Sequence, residues 1–187
     1  MTKPILPSAK PRIFSSELHE KLSTFYLDRT QHPIIVFGIR GYYLKTMGDP
    51  FANDRGIYDD AIFLDSPQGT AAFNDNTDPS LFKKGKGAGR EKGIVRLKPG
   101  FYFAHCLGLH KNKYLALIQR LGEVTVILDG EPDYEETGYF GINIHKGGYT
   151  TTTSLGCQTI HPDQWVSFIS TVIDQSVRTL ERNGIKR

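Results

Sequence analysis

The sequence predicts an α+β fold that is mainly β, a mixed β-sheet or sandwich with a helix near each end of the chain. Short runs of β-branched and aromatic residues, separated by Gly, Pro, Asn and Asp, fill the middle of the chain, whereas helical periodicity appears only near the ends. The chain has 187 residues, of which 39% are hydrophobic and 23% charged, as is ordinary for a globular protein with one core. We therefore predict a single domain over residues 1–187, with an irregular Pro-rich arm at 1–15.

The first two elements are predicted from the spacing of apolar residues. Leu18, Leu22 and Phe25 recur at helical steps and predict an amphipathic helix near 16–29. The His-Pro pair at 32–33 ends this helix, because a residue before proline disfavours the helical conformation. The apolar run that follows, to residue 39, predicts a buried strand.

The middle of the chain alternates between predicted strands and turn-rich segments. The stretch 114–122 is predicted as a short helix, 46–60 as an ordered connection, and 65–93 as a loop whose basic Gly-rich part, 83–93, is a mobile flap. Strands are predicted at 61–64, 93–97, 100–109, 123–130 and 139–145.

A C-terminal amphipathic helix is the clearest of the predicted elements. Pro162 suits the first helical position, Asp163 the first turn, and Gly184 the position just after the last turn. Apolar residues recur along it at steps of three and four and predict one buried face. They are Trp165, Ile169, Val172, Ile173, Val177 and Leu180.

Charge and hydropathy exclude several classes of protein. The net charge of +3 is small, so nucleic acid is not predicted as a partner. No apolar run reaches the length of a membrane span, and the N-terminal residues lack the apolar core of a signal peptide. We therefore expect synthesis in the cytoplasm without a signal peptide, and any action in the periplasm or on the cell wall would need a non-classical route of delivery.

Cys157 and His145 form the most informative pattern in the sequence. His145 ends a predicted strand, and a loop of Gly and Thr residues lets the chain return, twelve positions later, to Cys157. A free thiol is only a few per cent thiolate at neutral pH, so a nucleophilic cysteine needs a base of this kind. Gly156 leaves room for a substrate carbonyl, and backbone N–H groups around Gly156 and Cys157 would suit an oxyanion hole. Cys106, in an alternating apolar strand, is predicted to lie in the core.

The order His145-x-Gly147, a short loop, then Ser154-x-Gly156-Cys157 resembles the signature region of the L,D-transpeptidase (YkuD-like) catalytic domain. The resemblance covers about residues 34–170 and implies a YkuD-like mixed sheet. It also implies a cysteine that is acylated by peptidoglycan stem peptides, as in an L,D-transpeptidase or L,D-carboxypeptidase, with no cofactor. By this resemblance Cys157 is the nucleophile, His145 is a base oriented by a backbone carbonyl, and Ser154 and Gly156 shape the nucleophile loop.

One position departs from that family. An Arg is usual two residues after the cysteine, and Thr159 stands there instead. Arg40 and Lys146 are the candidates to supply the missing positive charge, and Lys146, Gly147, Arg40 and His110 are predicted to bind substrate. The alternatives for a second histidine near the site are His105, His110 and His161.

Other interpretations were weighed for the same residues. The missing signal peptide favours phage-borne or secreted-effector relatives, with a secretion-system, phage or immunity protein as partner. A non-catalytic cell-wall or phage structural binding module is the alternative function, because Thr159 replaces the family's Arg. A papain-like protease is disfavoured because its cysteine precedes its histidine. The spacing of His105, His110 and His145 is not that of a metal site, so no metal is predicted.

Overall fold

A computed structural model describes residues 15–24, 27–43, 55–85 and 92–182. The described chain is mainly β and carries two helices, α1 (Ser15–Ser23) and α2 (Pro162–Arg182). The predicted α+β, mainly β class is therefore confirmed. The strands are β1 (Ile35–Ile39), β2 (Asp60–Ser66), β3 (Gly69–Asn76), β4 (Val95–Leu97), β5 (His105–His110), β6 (Tyr114–Gln119), β7 (Val124–Leu128), β8 (Tyr134–Gly138), β9 (Ile144–Lys146) and β10 (Gln158–Ile160).

The strands form two sheets. The larger has the order β1-β2-β3-β10-β9-β6-β5, and the smaller the order β4-β7-β8. Among the described residues, every pair of neighbouring strands is antiparallel except β9 and β10, which run parallel at the centre of the larger sheet. A parallel pair needs a crossover connection, and here the segment between residues 146 and 158 provides it.

Helix α2 covers the centre of the larger sheet, where it contacts β3, β9 and β10. Its buried face presents Trp165, Phe168 and Val172 to Ile144 of β9 and Ile160 of β10. Complete burial of a side chain such as Phe168 contributes about 1.5–3 kcal/mol to stability. Helix α2 thus packs against the central strands and stabilises them from one face of the sheet.

The smaller sheet has its own apolar core. In β7 the side chains of Val124, Val126 and Leu128 are fully buried, while the intervening residues are partly exposed. This alternation is the two-residue period of a strand with one buried face. Ala104 and Ile142 complete the cluster, and Ile142 lies just before β9, so this core abuts the central strands of the larger sheet.

The predicted short helix at 114–122 is wrong, because residues 114–119 form strand β6. The four residues at the end of this strand, 116–119, are all buried, and such a continuous run has no alternation that would distinguish a strand from a buried helix. A tight three-residue turn joins β5 to β6: Lys111 and Asn112 both have positive φ, at 50° and 57°, and the Lys113 N–H donates to the His110 carbonyl at 3.0 Å. β6 accordingly pairs along its whole length with β5.

The predicted loop at 65–93 is also wrong in part, because residues 69–76 form strand β3. Its second half, Phe-Asn-Asp-Asn, is polar yet buried, since β2 and β10 flank it on both sides. Other boundaries shift: α1 ends at Ser23, and β5 begins at His105. Of the predicted arm at 1–15, residues 1–14 lie outside the described residues and Ser15 begins α1; most of the predicted flap also lies outside them.

Neither helix of the described chain is long and apolar enough to cross a membrane.

Candidate active site

The parallel pair of β9 and β10 positions His145 and Cys157. In its register Thr159 lies beside His145, and the Gln158 N–H donates to the Asn143 carbonyl at 2.9 Å. Cys157 lies in the bend directly before β10, two residues from Thr159, and continuation of the strand's two-residue period through this bend directs its side chain to the face of His145. The strand spacing places their Cα atoms on the order of 8 Å apart, a separation that a thiol and an imidazole can bridge.

The ring of His145 is held in one tautomer. Its Nδ1 lies 2.9 Å from the Lys146 carbonyl oxygen and donates to it, so the lone pair is on Nε2. Burial lowers the pKa of His145 to about 4, against the opposing effect of the Lys146 hydrogen bond, and nearby His110 and Lys111 lower it further. His145 is therefore neutral near pH 7, which is the form that can accept a proton.

The Cys157 thiol is half-buried, and its Sγ donates to the Gly141 carbonyl oxygen at 3.3 Å. Burial raises the pKa of Cys157, whereas the Asn143 backbone N–H and the charge of Lys111 act in the opposite direction. The resting thiol is thus protonated at neutral pH. It must leave the Gly141 carbonyl before its proton can pass to His145.

Ser154 fixes the loop that carries the cysteine. Its Oγ donates to the Cys157 carbonyl at 2.6 Å and accepts from the Gly156 N–H at 3.0 Å. Gly156 has φ +145°, and a Cβ there would lie 2.4 Å from Cγ2 and 2.9 Å from the carbonyl oxygen of Val95. Only glycine fits this position. The Gly156 N–H, predicted as an oxyanion donor, is already engaged by Ser154.

Ser80, in the segment that follows β3, also anchors this loop by hydrogen bonds. Sequence analysis did not single out this residue. The Ser154 N–H donates to Ser80 Oγ at 2.9 Å, and the Ser80 N–H donates to the Ser154 carbonyl at 2.8 Å. Ser80 Oγ also lies 2.7 Å from Thr152 Oγ1. Serine in a loop is too common in sequences for this anchoring role to be predicted.

Gly147 packs against Tyr58, which is completely buried. A Cβ on Gly147 would lie 2.1 Å from the Tyr58 hydroxyl oxygen, and that hydroxyl donates to the Gly148 carbonyl at 2.7 Å. Gly147 N–H donates to the Ile160 carbonyl at 2.9 Å. These contacts hold the chain in place where it leaves β9.

His110 is the predicted second histidine that lies against His145. The two rings are stacked, with centroids 4.2 Å apart and planes 24° from parallel. Of the alternatives, His105 Nε2 lies 2.6 Å from the Ile142 carbonyl oxygen, and His161 Nδ1 accepts from the Asp163 N–H at the start of α2.

Lys111 is an exposed lysine at the edge of this histidine pair, because it follows His110 in the β5–β6 turn. Lys146 follows His145 directly in β9, so its side chain leaves the opposite face of that strand, and its Nζ lies 5.8 Å from the ring centroid of Tyr114. The charge of Lys111 lowers the pKa of Cys157 as well as that of both histidines. Lys111 therefore gives this edge of the site a positive charge.

Arg40 makes its contacts within the fold. Its Nε donates to Thr77 Oγ1 at 3.0 Å and lies 3.2 Å from Asp78, while its Nη2 donates to the Leu97 carbonyl at 2.7 Å. Gln158, next to the cysteine, donates to the Thr77 carbonyl at 3.3 Å. Arg40 thus links the segment after β3 to β4 of the smaller sheet, and its Nε and Nη2 donors are engaged there.

Within the described residues, no group of three or more His, Cys, Asp or Glu side chains is arranged to hold a metal ion. Cys106 is a free thiol that packs against the core under α2.

Comparisons of this chain with models of known protein families, with curated proteins and with solved structures found no match. The fold and the site define a mainly β, α+β protein with a cysteine and a neutral histidine on one face of two parallel strands. The chemical role of that pair is therefore argued from the residues themselves.

Proposed function

We propose that this protein is a cysteine-dependent acyltransferase or hydrolase, with Cys157 as nucleophile and His145 as base. The observation that supports the proposal is the β9–β10 register, in which Thr159, two residues after Cys157, lies beside a neutral imidazole whose Nδ1 is occupied. A thiol whose pKa is raised by burial needs such a base to become nucleophilic.

The proposed reaction begins when His145 Nε2 takes the thiol proton and the sulfur attacks a substrate amide carbonyl. The Cys157 backbone N–H is the donor proposed for the resulting oxyanion, because the Gly156 N–H is engaged by Ser154. The imidazolium then gives its proton to the leaving amine, and a thioester remains on Cys157. Water or a second amine attacks the thioester, with His145 again taking the proton, and frees the enzyme.

The proposed substrates are peptidoglycan stem peptides, with the terminal D-alanine as leaving group. Two observations support this class: the resemblance of the His145-to-Cys157 segment to L,D-transpeptidases, and the exposed Lys111, whose charge acts on both His145 and Cys157. Stem peptides carry free carboxylates, which the charge of Lys111 attracts. The acyl acceptor is water in an L,D-carboxypeptidase and an amine in an L,D-transpeptidase.

Mass analysis of tetrapeptide muropeptides, incubated with and without an added D-amino acid, tests this function. The wild type and Cys106→Ala should release the terminal D-alanine, exchange it or form a dimer, whereas Cys157→Ala should do none of these. Release, exchange and dimer formation identify the acceptor as water, the amino acid and a second stem peptide, respectively. Unchanged muropeptides with the folded wild type would contradict the proposal.

A non-catalytic cell-wall binding module is the second candidate function. Thr159 is uncharged and completely buried, so it cannot replace the family's Arg in contacting a substrate. The thiol also donates its proton to the Gly141 carbonyl and not to a base. Such a module should bind purified peptidoglycan equally well as wild type and as Cys157→Ala, without turnover by either. Turnover that depends on Cys157 would exclude it.

A further inference from the structure

Two hydrogen-bond partners determine which end of the Asn143 side-chain amide is the oxygen and which is the nitrogen. Asn143 immediately precedes β9, and its Oδ1 lies 2.9 Å from the Gln119 backbone N–H. A backbone N–H can only donate, so this end of the amide must be the oxygen. The Nδ2 group therefore faces Nδ1 of His110, at 3.2 Å.

This orientation decides the protonation of His110. A ring nitrogen that faces an NH₂ group must offer a lone pair, so Nδ1 of His110 carries no proton and the neutral ring holds its proton on Nε2. His145 has the opposite tautomer, because its Nδ1 donates to the Lys146 carbonyl. The two stacked rings are thus held in complementary tautomers by two independent contacts.

The surroundings of His110 also disfavour its charged form. Among the described residues, the titratable groups that face it are Tyr114 on β6, at 5.6 Å between ring centroids, His145 on β9, and the adjacent Lys111. Burial lowers the pKa of His110, and Lys111 lowers it further. A charged His110 would oppose the imidazolium that forms when His145 takes up a proton.

We propose that Asn143 is a positioning residue that keeps His110 neutral with its proton on Nε2, so that His145 accepts the thiol proton beside an uncharged ring. The inference rests on the proposed function for the role of His145 as base. The two tautomers themselves can be observed without any substrate.

Nitrogen-15 NMR of the histidine rings in the labelled wild type is the first test. It should show the proton on Nε2 of His110 and on Nδ1 of His145. In Asn143→Asp, the carboxylate keeps the Gln119 contact but presents an acceptor to His110. The His110 proton should then move to Nδ1, and its pKa should rise by about one unit or more.

Asn112→Asp is the matched control, because Asn112 is exposed and lies in the turn two residues from His110. It adds the same charge nearby, and aspartate tolerates the positive φ of that position. The His110 tautomer should not change in this variant. A wild-type His110 with its proton on Nδ1, or an unchanged tautomer in Asn143→Asp, would overturn the inference.

The rate of Cys157 alkylation by iodoacetamide gives the functional test. Asn143→Asp should slow this reaction at pH 6–7 by about tenfold or more, since a charged His110 then lies against the base. Adding His110→Gln removes the titratable ring, and the double variant should recover most of the lost rate. A double variant as slow as Asn143→Asp would mean that the new carboxylate acts on Cys157 directly, and would overturn the inference.

These measurements separate the inference from the proposed function. A protein that leaves muropeptides unchanged but shows the expected tautomers and the recovered alkylation rate would contradict the substrate and support the role of Asn143. Peptidoglycan turnover by a wild type whose His110 carries its proton on Nδ1 would support the proposed function and contradict the role of Asn143.

Discussion

Asp60 and Asp75 face each other directly across strands β2 and β3, and both carboxyl groups are buried. Asp60 accepts hydrogen bonds from the Gly41 N–H and from the N–H and hydroxyl of Thr77, whereas the side-chain oxygens of Asp75 accept none from the described residues. Burial raises the pKa of Asp60 to about 6, and burial together with Asp60 raises the pKa of Asp75 well above the ordinary range.

This pair predicts that stability falls as the pH rises. A carboxyl group whose pKa is raised on folding binds more protons in the folded state, so its destabilising effect grows from about pH 4, the unfolded value, through the folded pKa. Asp75→Asn should therefore increase the free energy of unfolding at pH 8 by about 1–3 kcal/mol and leave it nearly unchanged at pH 4. Urea unfolding at both pH values measures the difference.

Asp174→Asn is the matched control for that change. Asp174 is an exposed carboxylate on α2 that pairs with Arg178 one turn away, and its loss should cost less than about 0.5 kcal/mol at either pH. If Asp75→Asn instead lowers the free energy of unfolding at pH 8, the prediction is wrong, and Asp75 is ionised in the folded state with a stabilising partner.

Removal of the base should suppress the reactivity of Cys157. In the wild type at pH 7, iodoacetamide should modify Cys157 faster than Cys106, which is half-buried against the core and has no part in the proposed reaction. His145→Ala should slow the modification of Cys157 by about tenfold or more, because no neutral imidazole remains to take the proton. Peptide mass analysis over time gives both rates in one sample, with Cys106 as internal control. Equal, slow modification of both cysteines in the wild type would contradict a nucleophilic role.

Gly156→Ala should disrupt the nucleophile loop. The new methyl group would overlap Val95, at 2.4 Å from its Cγ2, and the backbone has positive φ, so we expect a loss of about 2–4 kcal/mol. Gly69→Ala is the control, because Gly69 also has positive φ but its Cβ would meet nothing within 4 Å. It should cost about 1 kcal/mol. Equal losses of unfolding free energy in the two variants would mean that contact with Val95 is unimportant.

Lys111→Gln should weaken substrate binding. Loss of its charge removes attraction for a carboxylate at the rim, and we expect KM to rise about three- to tenfold and the effect to shrink at high salt. The charge of Lys111 also lowers the pKa of Cys157, so alkylation near neutral pH should slow slightly. Lys113→Gln, an exposed lysine at the end of the same turn, is the control. If KM rises equally in Lys111→Gln and Lys113→Gln, the increase reflects the net charge of the protein, and the prediction that Lys111 itself attracts the substrate is wrong.

Local patterns in the sequence determined much of the fold and the choice of candidate residues. The period of α2, with Pro162 at its start, and the alternation in β7 arise from contacts within a few residues, so they are visible without the structure. The Cys157–His145 pair was also identified from local chemistry, a histidine at a strand end and a glycine before the cysteine.

The tertiary structure decided the rest. β3 and β6 have composition typical of a loop and a helix, and they become strands because long-range partners complete their hydrogen bonds. The burial of Asp75 and the contact of Asn143 with His110 join residues that are far apart in sequence. A side chain's protonation depends on its burial and on which donors and charges surround it. Those surroundings exist only after strands distant in sequence have paired, so no local pattern encodes them.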